Sequence, residues 1–258
     1  MKFCLGIYVC IVLNVVANAK DSRIVGGQNA NIRDFPYMAS IKLAKNIHKL
    51  VCGGSIISEY HILTAAHCFI NFEKTDLIVF LGNSSAPTAS DTEPYYTIEQ
   101  INVHPNFVGS VEPSTSVHND IAIAKVGPRI LFNEFQKKIE LPNVDTRPGS
   151  LAVIIGWGRT SYPFGEPAKV LQKALMTIVT NKMCERDLPF SLHSQNICAF
   201  QRERVGVCYG DSGGPLVSQG KVIGICSFIR PCAMGEPDVY TRVFSYLDFI
   251  QAHISTTN

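Results

Sequence analysis

Gly210-Asp211-Ser212-Gly213-Gly214-Pro215 is the stretch on which the reading of this 258-residue chain turns. A serine flanked by glycines lets backbone N–H groups crowd around an exposed hydroxyl, as nucleophilic attack and oxyanion stabilisation both require. Alone, such a stretch is more often a simple turn. Two upstream segments change its meaning. Thr64-Ala65-Ala66-His67-Cys68 sets a histidine beside a cysteine that can pin it. Asn119-Asp120-Ile121-Ala122 sends an aspartate into an apolar strand, where an unpaired carboxylate is costly. Histidine, aspartate and serine, in that order, are the parts of a nucleophilic triad.

Around these segments lie short apolar or alternating runs at 37–43, 54–58, 77–81, 121–126, 151–156, 171–179, 215–217, 221–228 and 237–243. They are bounded by Gly, Pro, Asn and Ser, most are too short for helices, and many are rich in Val and Ile. An all-β fold of barrels or sandwiches is expected. Residues 245–254 are the exception: Leu247, Ile250 and Ile254 follow helical spacing and predict a C-terminal amphipathic helix. Between 126 and 150 the pattern loosens around Pro128, Pro142 and Pro148, which suits a linker between two halves.

The first nineteen residues read differently. Lys2 is followed by an apolar run over 5–16 and by Ala17-Asn18-Ala19, the small-x-small form of a signal-peptidase site. The run is too short to span a bilayer, which takes about 20 apolar residues. A secreted, extracellular protein is expected, with no membrane partner. Seven of the nine cysteines lie beyond this segment, and an oxidising compartment makes them disulfide partners with one left over. None has the C-x-x-C spacing of a zinc site. Each bridge is worth about 2–4 kcal/mol. With Lys2, Lys20, Arg23 and Asp21 set aside, residues 24–258 carry equal numbers of acidic and basic side chains, so nothing steers the protein to nucleic acid or anionic lipid.

From Ile24 to about Ile254 the chain resembles the trypsin/chymotrypsin family of serine proteases, and its pattern is similar to chymotrypsin-like proteases of arthropods. The resemblance rests on Ile24-Val25-Gly26-Gly27, Cys52-Gly53-Gly54-Ser55, the His67, Asp120 and Ser212 segments, Gly156-Trp157-Gly158, and Pro237-Asp238-Val239-Tyr240. It implies two antiparallel six-stranded β-barrels with a C-terminal α-helix and a cleft between the barrels. The corresponding division is a signal peptide over 1–19, an activation propeptide over 20–23 and a peptidase domain over 24–258. Within that domain a first barrel would cover about 24–130, a linker about 131–148, and the second barrel and helix about 149–258. His67, Asp120 and Ser212 would form the triad, with the N–H groups of Gly210 and Ser212 as the oxyanion hole and Ser227 bonded to the buried aspartate. Arg23-Ile24 resembles a zymogen cleavage site, after which the ammonium of Ile24 would pair with Asp211. The implied bridges are Cys52–Cys68, Cys184–Cys198 and Cys208–Cys232, leaving Cys226 as a buried thiol or a reactive one in the substrate pocket. Neither metal nor cofactor is needed, and the loop after Gly82 lacks the paired glutamates of a calcium site. The expected partners are protein and peptide substrates, an activating trypsin-like protease and proteinaceous inhibitors, acting on a monomer in digestion or venom.

Specificity is where the motifs part from the simplest members. Gly206 stands where trypsin-like members carry a pocket-floor aspartate, while Asp238 brings a carboxylate to another position near the floor. Cys226, Phe228 and Ile229 complete the pocket, with Ile229 narrowing a mouth that glycine usually leaves open. Large apolar or aromatic P1 residues are expected first; smaller aliphatic or basic P1 residues, or a non-catalytic homologue acting as a binding or regulatory module, are the alternatives. Asn83-Ser84-Ser85 also fits an N-glycosylation sequon.

Overall fold

A computed structural model describes residues 24–85, 94–109, 118–188, 190–228 and 232–255. The expected signal segment over 1–19, the expected propeptide over 20–23 with Arg23, and Ile229 lie outside the described residues. The first six barrel strands are β2 (Met38–Leu43), β3 (Asn46–Ile56), β4 (His61–Thr64), β5 (Leu77–Leu81), β6 (Tyr96–Val103) and β7 (Ala122–Gly127), which follow the two-residue β1 (Gln28–Asn29). They close in the order β2-β3-β4-β7-β6-β5, every pairing antiparallel. The second barrel uses β8 (Leu151–Gly156), β9 (Gln172–Val179), β10 (Asn196–Phe200), β11 (Pro215–Ser218), β12 (Lys221–Phe228) and β13 (Asp238–Arg242). The β8–β9 pairing closes that ring, and β1 adds to β9 at its rim. The chain therefore starts on the second barrel before building the first. Closure leaves few edges for unwanted pairing.

Alternation explains how the barrels fill. Along β9 the residues Gln172, Ala174, Met176 and Ile178 are buried while Leu175 is exposed, the period of two that a half-buried strand requires. One apolar core runs from the first barrel, through Trp157 and Leu171, to Val217 and Ile225 of the second. A second core holds Ile24, Val207, Cys226 and Tyr240 beneath the region the sequence marks as the substrate pocket. The C-terminal helix is α2 (Leu247–Ile254), which follows the short α1 (Asn181–Cys184) in the chain. It buries Ile250 with Leu247 and Ile254 half-buried beside it, the face that helical spacing predicts. No described helix is long and apolar enough to cross a membrane. Disulfides join Cys52 to Cys68, Cys184 to Cys198 and Cys208 to Cys232, and Cys226 is a buried free thiol.

Candidate active site

Strand register brings the histidine and the aspartate together. Thr64, the last residue of β4, pairs with Ala122, the first of β7. The chain leaves β4 toward His67 at the same end at which it arrives at β7 from Asp120. Fifty-three residues apart in sequence, the two side chains meet. The His67 backbone N–H donates to Asp120 Oδ1 at 2.9 Å and its ring Nδ1 to Oδ2 at 2.8 Å. The first contact fixes the segment and the second fixes the ring, leaving Nε2 free to face the cleft. Asn119, just before the aspartate, takes a left-handed φ of 52° that asparagine tolerates, and Tyr246 of the C-terminal segment donates to its Oδ1 at 3.0 Å.

The second barrel completes the aspartate's shell. Ser227 on β12 donates to Asp120 Oδ2 at 2.5 Å, and Thr241 on β13 donates to the Asp120 carbonyl at 2.8 Å. Asp120 is fully buried, so these donors replace the water it has lost. Burial works to lower the His67 pKa, but the charge of Asp120 and the hydrogen bond to it outweigh burial, and the net shift is upward.

Ser212 lies in the turn before β11. The turn is held against the first barrel by the Gly53 N–H, which donates to the Ser212 carbonyl at 2.7 Å. Within the second barrel, the Gly213 N–H donates to Cys226 at 2.8 Å and the Cys226 N–H to Gly214 at 2.8 Å. Gly213 has φ of +75°, and a Cβ there would stand 2.1 Å from Thr64 Oγ1; Gly210 has φ of +100°. Only glycine meets both demands, and the two left-handed residues turn the backbone around Ser212. Among the described residues no hydrogen bond joins Ser212 Oγ to the His67 ring, whose hydrogen bond goes to Asp120.

Asp211 points inward, away from solvent. Its carboxylate accepts from the N–H groups of Gly158 at 2.8 Å and Cys208 at 2.9 Å. A Cβ at Gly158 would lie 2.3 Å from that carboxylate, which is why the Gly-Trp-Gly segment needs its second glycine. Burial raises the Asp211 pKa to about 6, against the two backbone hydrogen bonds. Ile24 is wholly buried in the core below, and the Gly206 N–H donates to the Val25 carbonyl at 3.2 Å, tying the start of the described chain to the expected pocket floor.

At that floor Gly206 and Asp238 are complementary in space. A Cβ at residue 206 would lie 2.8 Å from Asp238 Oδ2, so the carboxylate occupies room that glycine leaves. Asp238 is buried and Oδ2 accepts one backbone bond, from Val207 at 3.0 Å. Burial raises its pKa to about 8, with Asp211 adding to the rise. Tyr240, two residues on, is fully buried and faces this carboxylate without a hydrogen bond of normal geometry. Burial, and then Asp211, Asp238 and Asp120, push the Cys226 thiol well up, so it stays protonated. Phe228 stacks edge-on against Phe190 at 5.4 Å. Phe190 and Thr241 were not singled out by sequence, and Tyr240 entered only as the end of the Pro237-Asp238-Val239-Tyr240 motif. Thr241 sits on β13, whose residues are buried in succession and give no alternation to mark it, and Phe190 sits in a loop and offers no signal either.

The sequon residues Asn83 to Ser85 are bound into the seam between the barrels. Ser84 Oγ accepts from Ile32 N at 2.8 Å, and its carbonyl accepts from Leu171 N at 2.7 Å and Trp157 Nε1 at 3.2 Å.

Known proteins share this arrangement. The trypsin family model matches residues 24–250. Chymotrypsin-2 of the hornet Vespa crabro is 37% identical over 229 residues, 88% of this chain and 98% of the hornet protein. Trypsin II-P29 of the chicken Gallus gallus is 32% identical over 260 residues, 99% of each chain. Among solved structures, neuropsin, a serine protease expressed in the limbic system of mouse brain, superposes with a TM-score of 0.79 at 28% identity, covering 88% of this chain and 98% of its own. With a family match over nearly all the described residues, the two-barrel protein built around His67, Asp120 and Ser212 belongs to the trypsin family of serine proteases.

Proposed function

We propose that this protein is a secreted serine endopeptidase, made as a zymogen, that cleaves after large apolar or aromatic residues near neutral pH. The observation that carries the reading is the network in which Asp120, buried between the barrels, takes hydrogen bonds from His67 and Ser227. A carboxylate so placed orients the imidazole and stabilises the imidazolium that forms during reaction.

Ser212 Oγ would attack the scissile carbonyl carbon while its proton passes to His67 Nε2. The carbonyl π electrons move onto oxygen, which the N–H groups of Gly210 and Ser212 receive. The intermediate then collapses, the C–N bond breaks, and His67 returns the proton to the leaving amine. Water repeats the sequence on the acyl-enzyme. The left-handed φ at Gly210, two residues before Ser212, supports the oxyanion role, because a backbone turned there can present an N–H to a developing oxyanion.

Two features support the P1 preference. The pocket side of β12 and β13 offers Cys226 and Asp238, and an aspartate with a pKa near 8 is a neutral acid at pH 7. A neutral floor suits apolar and aromatic side chains. A second reading, cleavage after Lys or Arg, is favoured by the same carboxylate once ionised, since Gly206 leaves room for it at the expected pocket floor. Secretion is supported by the three disulfides and by the apolar leader. Zymogen activation at Arg23-Ile24 is supported by the buried Ile24 and by Asp211, a buried carboxylate with room in its shell for an ammonium.

The test uses purified protein activated by trace trypsin, which is then inhibited selectively, with peptides varied at P1 and a Ser212→Ala control. Cleavage after Phe, Tyr or Leu at pH 7, absent in the control, is expected. No turnover of any peptide, despite a confirmed Ile24 N-terminus, would overturn the reading.

A further inference from the structure

The outer wall of the second barrel carries an apolar pair that its alternation does not call for. Along β9 the even-numbered residues from 172 to 178 turn inward, so Lys173 and Leu175 share the outward face. Val153 on β8 stands directly opposite Leu175, which is 48% exposed. An aliphatic pair facing outward adds nothing to the barrel core.

These residues line a cavity of about 340 Å³, toward the lower end of the roughly 300–1,000 Å³ of small-molecule sites. Phe35 also lines it, its ring centroid 5.5 Å from the Lys173 ammonium. Arg202, in the loop after β10, brings a second cation and is held by a bridge to Val205. No acidic residue lines the cavity, and among the described residues no carboxylate pairs with Lys173 or Arg202. Two cations beside an aliphatic wall complement an anion with an apolar tail. The guanidinium and ammonium can donate to a carboxylate, while Val153, Leu175 and Phe35 cover the tail.

The remaining wall belongs to the start of the described chain. Gly26 and Val205 line the cavity beside the antiparallel bridge of Val25 to Gly206. Gly26 has φ of +74°, and a Cβ there would stand 2.2 Å from the Arg204 carbonyl oxygen, so the segment packs closely on residues 204–206. Ile24, two residues earlier, is wholly buried and anchors it. This wall stands only while Ile24 is docked. Under the activation scheme proposed above, on which this step rests, docking follows the cut at Arg23-Ile24. None of His67, Asp120, Ser212, Gly206 and Asp238 lines the cavity.

We infer that this cavity binds a small amphiphilic anion, a carboxylate on an apolar tail, and binds it more tightly in the cut protein than in the uncut one. A ligand that prefers one of two states shifts the balance toward that state by the same factor. Such an anion would therefore hold the Ile24 segment in its docked place.

Octanoate, ionised at pH 7, is the probe. The Ser212→Ala protein, cut by trypsin at Arg23-Ile24 and repurified, is titrated calorimetrically beside the uncut protein carrying Arg23→Gln. Saturable binding of one octanoate to the cut protein is expected. Hexanoate should bind about tenfold more weakly, since each buried methylene is worth about three- to fourfold, and octylammonium should not bind. Lys173→Gln/Arg202→Gln should weaken octanoate binding about tenfold or more, while the charge-keeping Arg202→Lys should cost about threefold or less. The uncut protein should bind at least about fivefold more weakly than the cut one. No saturable binding to the cut protein, equal binding of octylammonium, or an affinity untouched by the double variant overturns the site. Equal affinity of the cut and uncut proteins overturns the coupling to docking and leaves proteolysis to the peptide assay. Failure of trypsin to expose Ile24 overturns the activation scheme and the coupling with it.

Discussion

Replacing Asp238 by asparagine separates a pocket that is neutral at pH 7 from one that is charged. The Asp238 carboxyl is buried, its backbone hydrogen bond comes from Val207, and its pKa is raised from an ordinary 3.8 to about 8. The sign of the linkage follows. In the unfolded chain the group loses its proton near pH 4, while in the fold it keeps it until about pH 8. Over that window the folded state binds more protons, so stability falls as pH rises and levels off above 8. At about 1.4 kcal/mol per pH unit the whole effect is of order 5 kcal/mol. Asparagine has nothing to ionise. Its carbonyl can accept from Val207, and its amide can still meet the Tyr240 hydroxyl that faces the Asp238 carboxylate. Urea unfolding of the Ser212→Ala protein, with and without Asp238→Asn, should show the asparagine variant ahead by only about 1.5 kcal/mol at pH 5. At pH 8.5 the asparagine variant should be more stable by several kcal/mol. Asp211, with its own raised pKa, contributes to both proteins and largely cancels in the difference. The active enzyme gives a second measure. kcat/KM for a Lys or Arg P1 substrate should climb through pH 8 in the parent and stay flat in the variant, while Phe P1 turnover should follow only His67. Parallel stability profiles for the two proteins would refute the assignment of a neutral, buried acid.

Other perturbations test the rest of the site. Ser227→Ala removes one donor from a fully buried carboxylate, a loss of about 1–3 kcal/mol, and should lower kcat about tenfold or more with KM little changed. Asp120→Asn removes the charge that raises His67, so the acid limb of the pH–rate profile should move to lower pH in whatever activity survives. His61 is buried and bonded to Ser58 at 2.7 Å, with burial first and then Lys125 and His253 lowering its pKa. Its unfolded form gains a proton near 6.5 before its folded form does, so stability should fall as pH drops below about 6.5, and His61→Gln should flatten that decline in urea titrations. Cys226 should resist iodoacetamide at pH 8 in the folded protein and react on unfolding, read by mass spectrometry, because burial holds it as a thiol out of reach.

Much of this was legible in residues that do backbone work. Glycines 210, 213 and 214, the cysteines and the short Val/Ile runs each express a main-chain demand, and such demands leave local marks. Other elements leave none. β6 carries a bulge between Ile98 and Gln100 that shifts its register on β7, so its alternation fails halfway. β4 is four residues and buried throughout, with no polar face to set a period. β1 pairs only Gln28 and Asn29, both polar and exposed, and owes its place to β9 rather than to its own sequence. The Tyr162 and Tyr209 rings, 6.3 Å apart, meet through space alone. A motif can announce Ser212, but it cannot say which distant rings border it.

The carboxylates of the site differ in how far the fold satisfies them, and that difference assigns them work. Asp120 takes three hydrogen bonds on its carboxylate, from the His67 N–H, the His67 ring and Ser227. Asp211 takes two, both from backbone, and its pKa sits near 6. For Asp238 the backbone supplies one, and its pKa sits near 8. Fewer donors leave the anion less stabilised and more in need of a cation from elsewhere. For Asp211 the proposed cation is the ammonium freed at Ile24, which would pull its pKa below 6 and hold the turn through Gly210. The consequence is measurable. Arg23→Gln should block trypsin activation, and its turnover should then show a second dependence near pH 6 from Asp211 titrating without a partner. Cleaved protein should lack that dependence, since an ion pair closed in a buried site keeps the carboxylate charged. If the uncut variant matched cleaved protein in rate and in pH profile, the ammonium would have no task at Asp211, and the activation scheme would have to be abandoned.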